Sequence, residues 1–348
     1  MNARKRVSRA PNVLPENRPV KVRKFVIALT FLLISNIILL AGGDTRANGP
    51  CIVVDLKKGT ADKVANLPHD LMTNDVYKTT KMVLKRVPAG YFTMGSPKSE
   101  LGRDNYKEVE GQKTQETQHK VTFSKDFYIA VFECTEKQWV TVMGSYPSAY
   151  GDSRNPTSKD EKRAVRSVGW GVVRGGTGPN DAPDDGSFMG KLRKLTGKAF
   201  DLPTEAQWEY ACRAGTTKAY NNNTDCLVSY DSEDTNLNAL AWYVHNTDYE
   251  SKKEPEEVGT KQANNWGLCD MHGNVWEWCL DTYVTDLGTQ DRTDPVARSD
   301  SPDSVRVKRG GCGNSLASRC RSAYRSNPSP TTHETPEIGW GFRVVLWD

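Results

Sequence analysis

The chain has 348 residues, 26% of them charged and 37% hydrophobic, with 28 glycines and a formal net charge of +4. That length covers one large domain or two ordinary ones, and so polar and glycine-rich a chain argues for a loop-rich globule over a helical bundle. The positive charge sits at one end: residues 1–24 hold eight Lys/Arg and one acid, and taking that +7 from +4 leaves −3 for the rest, with no basic face for nucleic acid.

After this basic segment, Phe25 to Gly43 form an unbroken uncharged run behind Lys21-Val22-Arg23-Lys24. The positive-inside rule keeps that flank cytoplasmic. The run's length lies between a signal-peptide core and a spanning helix, so either a signal anchor or a cleaved signal is expected. Thr45-Arg46-Ala47 is a poor cleavage site, which favours a membrane anchor through residues 25–43 and an exported remainder facing the periplasm or outside. Eight cysteines without a C-x-x-C pair, at 51, 134, 212, 226, 269, 279, 312 and 320, fit disulfides in an exported protein and not a zinc ribbon.

Residues 44–80 read as a linker with local order, a strand at Cys51 to Leu56 and a helical turn at Leu67 to Met72. The organised domain is expected over residues 81–348. It opens with two strand-like runs in Lys81 to Ser96, broken by Pro88-Ala89-Gly90, whose turn chemistry predicts a hairpin. Lys120 to Phe123 and Phe127 to Ala130 read as strands. Thr135 and Gln138 sit at capping-box spacing ahead of a helix that runs through Met143.

Residues 145–185 are rich in Ser, Gly, Pro and Asp and read as surface loops. Gly175 to Asn180 lacks the preceding strand and following Lys-Ser/Thr that a phosphate cradle needs. Phe188 to Leu195 form a helix, and Thr204 caps the next, with Glu205 in the first turn where the helix dipole favours an acid. Glu205 and Glu209 read as buried partners of Arg213 or another arginine rather than as catalytic acids. Arg309, Arg321, Arg325 and Arg343 are expected to pair with acids of the helices.

The most informative stretch is Asn265 to Asp281. It puts Asp270, Gly273, Asn274 and Glu277 among three tryptophans, Trp266, Trp276 and Trp278. Met271-His272-Gly273-Asn274 predicts a tight turn, because Gly and Asn tolerate positive φ. Carbonyls and carboxylates converging there suit calcium, while a hairpin turn with a solvated acidic rim fits the spacing equally well.

The wording of this stretch, Gly267-Leu268 followed by Met271-His272-Gly273-Asn274-Val275-Trp276-Glu277-Trp278, resembles the signature of the formylglycine-generating enzyme family, the sulfatase-modifying factors. Met94-Gly95-Ser96 and Leu202-Pro203-Thr204-Glu205-Ala206-Gln207-Trp208-Glu209-Tyr210-Ala211 resemble further family motifs, and the likeness runs from Lys81 to the C-terminus. The resemblance implies an α+β, C-type-lectin-like fold, irregular and loop-rich. It implies one structural calcium site on Asp270, Gly273, Val275 and Glu277, with Gly273 and Val275 giving backbone carbonyls. It also implies a Cys212–Cys320 disulfide.

Enzymes of the family hold Cu(I) between two thiolates separated by four residues just after a Gly-Gly pair, and soft thiolates select that ion. Here the first ligand falls on Ser315, and Cys312 and Cys320 are separated by seven residues. The copper pair is therefore not in place. Nor do His69, His119, His245, His272 and His333 have the spacing of a three-histidine metal site. The expected function is an exported binding or scaffolding module for a protein or glycan ligand. The alternative is an O₂- and copper-dependent oxidase converting a sulfatase polypeptide's cysteine to formylglycine, with Cys312 and Cys320 as unorthodox ligands.

Overall fold

The chain's computed structural model describes residues 49–103, 116–147, 160–176, 181–227, 232–249, 254–298, 305–326 and 339–347. They belong to one compact unit, Asp44–Asp348. The hydrophobic run at 25–43 lies outside the described residues, and among these no helix is long and apolar enough to cross a membrane.

A six-stranded sheet carries the architecture, and every neighbouring pair in it is antiparallel. Its order is β2 (Thr60–Val64), β1 (Cys51–Asp55), β3 (Lys81–Val87), β6 (Phe127–Ala130), β14 (Val345–Trp347) and β7 (Phe200–Asp201). Side chains alternate across a strand, so each strand can feed two apolar layers. Val83, Val87, Phe127, Ile129 and Val345 enter one layer, and Met82, Leu84, Tyr128, Ala130 and Leu346 the other. Both layers are covered, which explains why these strands read as nearly continuous apolar runs.

Helix Glu205–Arg213 closes the first layer with Ala206, Trp208, Tyr210 and Cys212. Helices Glu136–Met143 and Phe188–Thr196 close the second with Trp139 stacked on Phe188 at 5.5 Å between ring centroids. The predicted capping box at Thr135 forms, and the predicted cap at Thr204 is a capping box as well: Thr135 and Thr204 accept from the N–H groups of Gln138 and Gln207, whose side chains reach back. A cap of this kind is worth about 1 kcal/mol, and burying each large apolar side chain about 1.5–3 kcal/mol.

Three expectations change. The segment read as a linker supplies β1, β2 and helix Val76–Thr79, and β1 pairs along its whole length with β3. The predicted hairpin is a corner: β3 stays in the large sheet, while β4 (Gly90–Met94) pairs with β5 (His119–Phe123), which β11 (Arg292–Thr293) flanks in parallel. Pro88 has no N–H to extend the ladder, and Asp126 pins the crossing by accepting the Ala89 N–H at 2.7 Å and pairing with Arg86. Within 145–185, helix Trp170–Val173 is core, not loop: Trp170 is buried and donates from Nε1 to the Cys279 carbonyl at 3.1 Å.

A small sheet of β12 (Arg306–Arg309), β10 (Trp276–Thr282) and β13 (Trp340–Gly341) holds the signature stretch, and β8 (Ala241–Trp242) pairs in parallel with β9 (His272–Gly273) beside it. A third apolar cluster, including Tyr220, Cys226, Leu237, Tyr243, Ala317 and Cys320, packs separately from the two layers.

Candidate functional site

Asp270 to Glu277 fold as the residue types dictate. Asp270, Gly273 and Asn274 take φ of 56°, 76° and 58°, in the left-handed region. At Gly273 nothing else fits, because an added Cβ would lie 2.1 Å from the Trp242 carbonyl oxygen. That close approach lets the Asn274 N–H donate to the same carbonyl at 2.8 Å.

The acids are not a solvated rim; all are buried. Glu277 is gripped by Arg343, whose Nε and Nη2 donate to its two oxygens at 2.6 Å each, and Trp208 Nε1 adds a third bond at 2.8 Å. Asp270 accepts the Gly259 N–H on Oδ2 at 2.6 Å, while its Oδ1 is buried with no hydrogen-bond partner among the described residues. A third acid, which sequence reasoning missed, completes the group: Glu133 accepts from Asn274 Nδ2 at 2.5 Å and from the Val275 N–H at 3.1 Å. It precedes the Thr135 cap, and only its distant partners reveal its role.

Three carboxylates thus face one arginine. Burial, then the neighbouring Asp270 and Glu277 charges, push Glu133 well above the ordinary carboxylate range. Burial likewise lifts Asp270 to about 6, against the opposing pull of the Gly259 N–H and Arg343. Surplus buried negative charge and an orphaned Oδ1 are what a hard cation would satisfy. Asp270 fits that role, and Glu277 Oε1 carries a single bond and keeps a lone pair. Among the described residues no three His, Cys, Asp or Glu side chains converge as a ligand cluster, and the expected set asks for only two side chains besides the Gly273 and Val275 carbonyls.

The thiols are arranged differently from expectation. All eight are buried, and none is joined in a disulfide among the described residues. Cys212 does not meet Cys320: its Sγ faces Ser322 Oγ at 3.6 Å, the Met271 carbonyl at 3.7 Å and His272 Nε2 at 3.9 Å. His272 turns its other nitrogen, Nδ1, to the Cys320 carbonyl at 2.7 Å and takes the Asn221 N–H on Nε2 at 3.1 Å. The implied pairing was two residues out of register, and the residue opposite Cys212 is a serine. Burial depresses the His272 pKa to about 4 and keeps the ring neutral, with both nitrogens spent on structure.

At the expected copper position, Ser315 Oγ accepts the Cys312 N–H at 2.9 Å and lies 3.5 Å from its Sγ, while Asn314 Oδ1 accepts from that thiol at 2.9 Å. Burial raises the pKa of both Cys312 and Cys320, the latter further through its neighbours Cys312 and Cys226.

Glu205 and Glu209 are structural, as expected. Arg325 holds Glu205 at 2.5 and 2.9 Å, while Arg213 and Arg309 hold Glu209. Of the other two arginines, Arg321 pairs with Glu100 and Glu116 and Arg343 with Glu277, none of them a helix acid.

Residues 68–347 match the family described as Sulfatase-modifying factor enzyme 1-like domain. The formylglycine-generating enzyme of Bos taurus is 26% identical over 310 residues, 81% of this chain and 78% of that protein. The chaperone protein LppX of Paenibacillus barcinonensis is 29% identical over 197 residues, 47% of this chain, and the match spans 64% of that relative's length. The serine/threonine-protein kinase pkn1 of Chlamydia caviae is 29% identical over 68% of this chain and 35% of its own. Among solved structures, Treponema denticola variable protein 1 and PvdO from Pseudomonas aeruginosa each superpose with a TM-score of 0.57 at 24% identity. They cover 77% and 76% of this chain, and 96% and 94% of their own. With a mixed α/β, sheet-rich fold and the family match over most of its length, this chain belongs to the sulfatase-modifying factor family of formylglycine-generating enzyme-like domains.

Proposed function

We propose that this protein is a non-catalytic member of its family, an exported, membrane-anchored binding or scaffolding module on a C-type-lectin-like domain. The observation that carries the reading is Ser315. The family resemblance sets the first copper thiolate at this position, and the Ser315 hydroxyl found there is committed to the Cys312 backbone N–H. A hydroxyl does not replace a thiolate toward Cu(I). Cys312 and Cys320 are buried, and the Cys312 thiol is engaged by Asn314 Oδ1 at 2.9 Å and Ser315 Oγ at 3.5 Å. The uncharged run at 25–43 and its basic flank support the anchor.

Calcium is proposed as a structural ion, held by Asp270 and Glu277 with the carbonyls of Gly273 and Val275. Its contribution would be to neutralise buried negative charge and fix the turn. Glu133 acts from the other side, fixing Asn274 and the Val275 N–H through hydrogen bonds that keep the turn in shape.

The test is a Cu(I) titration in competition with a chelator, alongside an assay of formylglycine formation on a cysteine-containing sulfatase peptide. The expected result is no stoichiometric copper and no aldehyde. One Cu(I) per chain lost in Cys312→Ser, together with peptide oxidation, overturns the reading in favour of the oxidase.

A further inference from the structure

A cavity of about 490 Å³ opens on the face of the domain where β4 meets the end of helix Glu205–Arg213. Neither the acid cluster nor the thiols line it. Behind it lies an aromatic group of the core, nearly all of it buried: Tyr210 lies between Phe92, at 5.1 Å between centroids, and Trp266, at 4.9 Å and edge-on. Tyr91, at the rim, is 71% exposed, the highest value among the large hydrophobic residues described. An exposed ring at the mouth of a cavity is a surface on which a ligand can lie, and ligand sites pair such surfaces with a few placed polar groups.

Those polar groups are present and uncommitted. Thr93, Gln118 and Thr217 are among the lining residues, and their side chains make none of the hydrogen bonds found among the described residues. Thr216 Oγ donates to the Arg213 carbonyl at 2.8 Å and keeps its acceptor lone pairs. Gly215 has open space where a side chain would stand, so backbone is accessible at the floor.

Electrostatics narrow the ligand class. Arg213 is the one charged residue in the lining among the described residues, and each of its three nitrogens donates within the protein, Nε to Glu209, Nη1 to the Lys218 carbonyl and Nη2 to the Gly95 carbonyl. Lys120 stands outside the lining with its Nζ 4.8 Å from the Tyr91 centroid, engaged on that ring. Among the described residues, no unpaired charge therefore faces the interior to select an ion. A neutral ligand rich in hydroxyls, with flat C–H faces, matches the exposed Tyr91 ring edged by threonines and an amide.

We propose that this cavity binds a neutral oligosaccharide, one sugar ring lying on Tyr91 and its hydroxyls bonded to Thr93, Gln118 and Thr217. The proposal rests on the binding-module reading above and names that module's ligand class. It does not use the calcium cluster, so it differs from recognition through a bound metal ion.

The test is calorimetric titration of the full-length chain with cellohexaose, chitohexaose, laminarihexaose and maltohexaose, repeated in EDTA. At least one of them should bind with a dissociation constant of about 1 mM or tighter, unchanged by EDTA. Tyr91→Ala should weaken it about three- to tenfold, while Tyr91→Phe, which keeps the ring, should bind within about twofold of wild type. Tyr91 is exposed, so neither change threatens folding. Absence of binding to all four sugars overturns the proposal, as does binding insensitive to Tyr91→Ala. Tighter binding of a sulfated or uronic oligosaccharide overturns the neutral class, and Tyr91-dependent binding of a neutral decapeptide alone overturns the sugar. The copper and formylglycine assays use other residues, so their outcome separates failure of the non-catalytic reading from failure of this site.

Discussion

Two groups of buried carboxylates in this domain meet opposite fates. Around helix Glu205–Arg213, three acids are held by arginines: Glu205 by Arg325, Glu209 by Arg213 and Arg309, and Glu116 by Arg321, which it shares with Glu100. Burial alone would raise Glu205 and Glu116, but the arginines outweigh it and hold both below the usual carboxylate range. At Glu133, Asp270 and Glu277, burial is equally complete, yet Arg343 and, for Asp270, the more distant Lys78 do not offset it, and Glu133 and Asp270 are driven upward. Asp281 shows the same dependence beside the first group. Among the described residues its oxygens accept only the Glu205 and Ala297 N–H groups. Burial lifts it to about 7 against the pull of Arg325, so direct contact with an arginine goes with the sign.

The sharpest way to break that comparison is Arg343→Ala. It leaves Glu277 buried without its cation and strips donors from the Ala130, Val131 and Cys269 carbonyls. The expected cost is roughly 3–5 kcal/mol by urea denaturation, since an uncompensated buried charge is left behind. A loss below about 1 kcal/mol would mean the cluster is already neutral and the imbalance fictitious.

Ser322→Cys sharpens the comparison from the arginine-held side. Cys212 Sγ and Ser322 Oγ are 3.6 Å apart and 110 residues apart in sequence. A thiol there should oxidise to a crosslink joining the helix to the segment that carries Arg321 and Arg325. The gain should be roughly 2–4 kcal/mol, read as a shift in the urea midpoint between oxidised and reduced protein. If mass spectrometry of the oxidised variant finds no peptide linking Cys212 to position 322, the two positions do not face each other.

A third effect, up to roughly 3 kcal/mol, follows from Asp270. Its folded pKa of about 6 lies above its ordinary 3.8, so the folded state holds the proton more tightly. In EDTA this term favours folding below pH 3.8 and is lost as pH rises to about 6, after which it is constant. Asp270→Asn should remove that slope and leave the protein more stable at pH 7 without metal. Calcium should raise the wild-type melting temperature at pH 7 and leave the variant's unchanged. Glu205 has the opposite sign: its lowered pKa gives stability above the unfolded value that is lost as pH falls through the folded one. A calorimetric pH series separates the two.

The difference between the groups also marks what the sequence could tell. Glu209 and Arg213 lie one turn apart on a helix, and their pairing is readable from spacing, as are Thr135, Thr204 and the glycine and asparagine at 273 and 274, whereas Arg325, the partner of Glu205, stands 120 residues away. Glu133 is not readable either, because its partners stand 141 and 142 residues away and nothing local calls for an acid there. The same limit explains the linker at 44–80, which only its register against β3 turns into sheet. Pro88-Ala89-Gly90 carries turn chemistry whether the next strand returns to its neighbour or leaves for another sheet. Cys212 shows the limit at its finest: the motif brings the right segment opposite, but whether position 320 or 322 faces it depends on the path of the intervening turn.

Ser96→Ala is the smallest change that tests whether arginines, and not neutral donors, settle the arginine-held group. Ser96 Oγ donates to Glu116 Oε2, while Arg321 holds both oxygens of the same carboxylate at 2.8 and 3.0 Å. If contact with an arginine decides, deleting the hydroxyl leaves Glu116 ionised and paired, at a cost of roughly 1 kcal/mol for one hydrogen bond. The acid limb of the stability curve should then keep its position, since Arg321 still outweighs burial. A cost near that of Arg343→Ala, with the limb moved to higher pH, would assign the low pKa of Glu116 to the hydroxyl. In that case hydrogen-bond donors would set the sign in both groups, and Asp270, which accepts a single backbone N–H on Oδ2, would be high for want of donors and not for want of a cation.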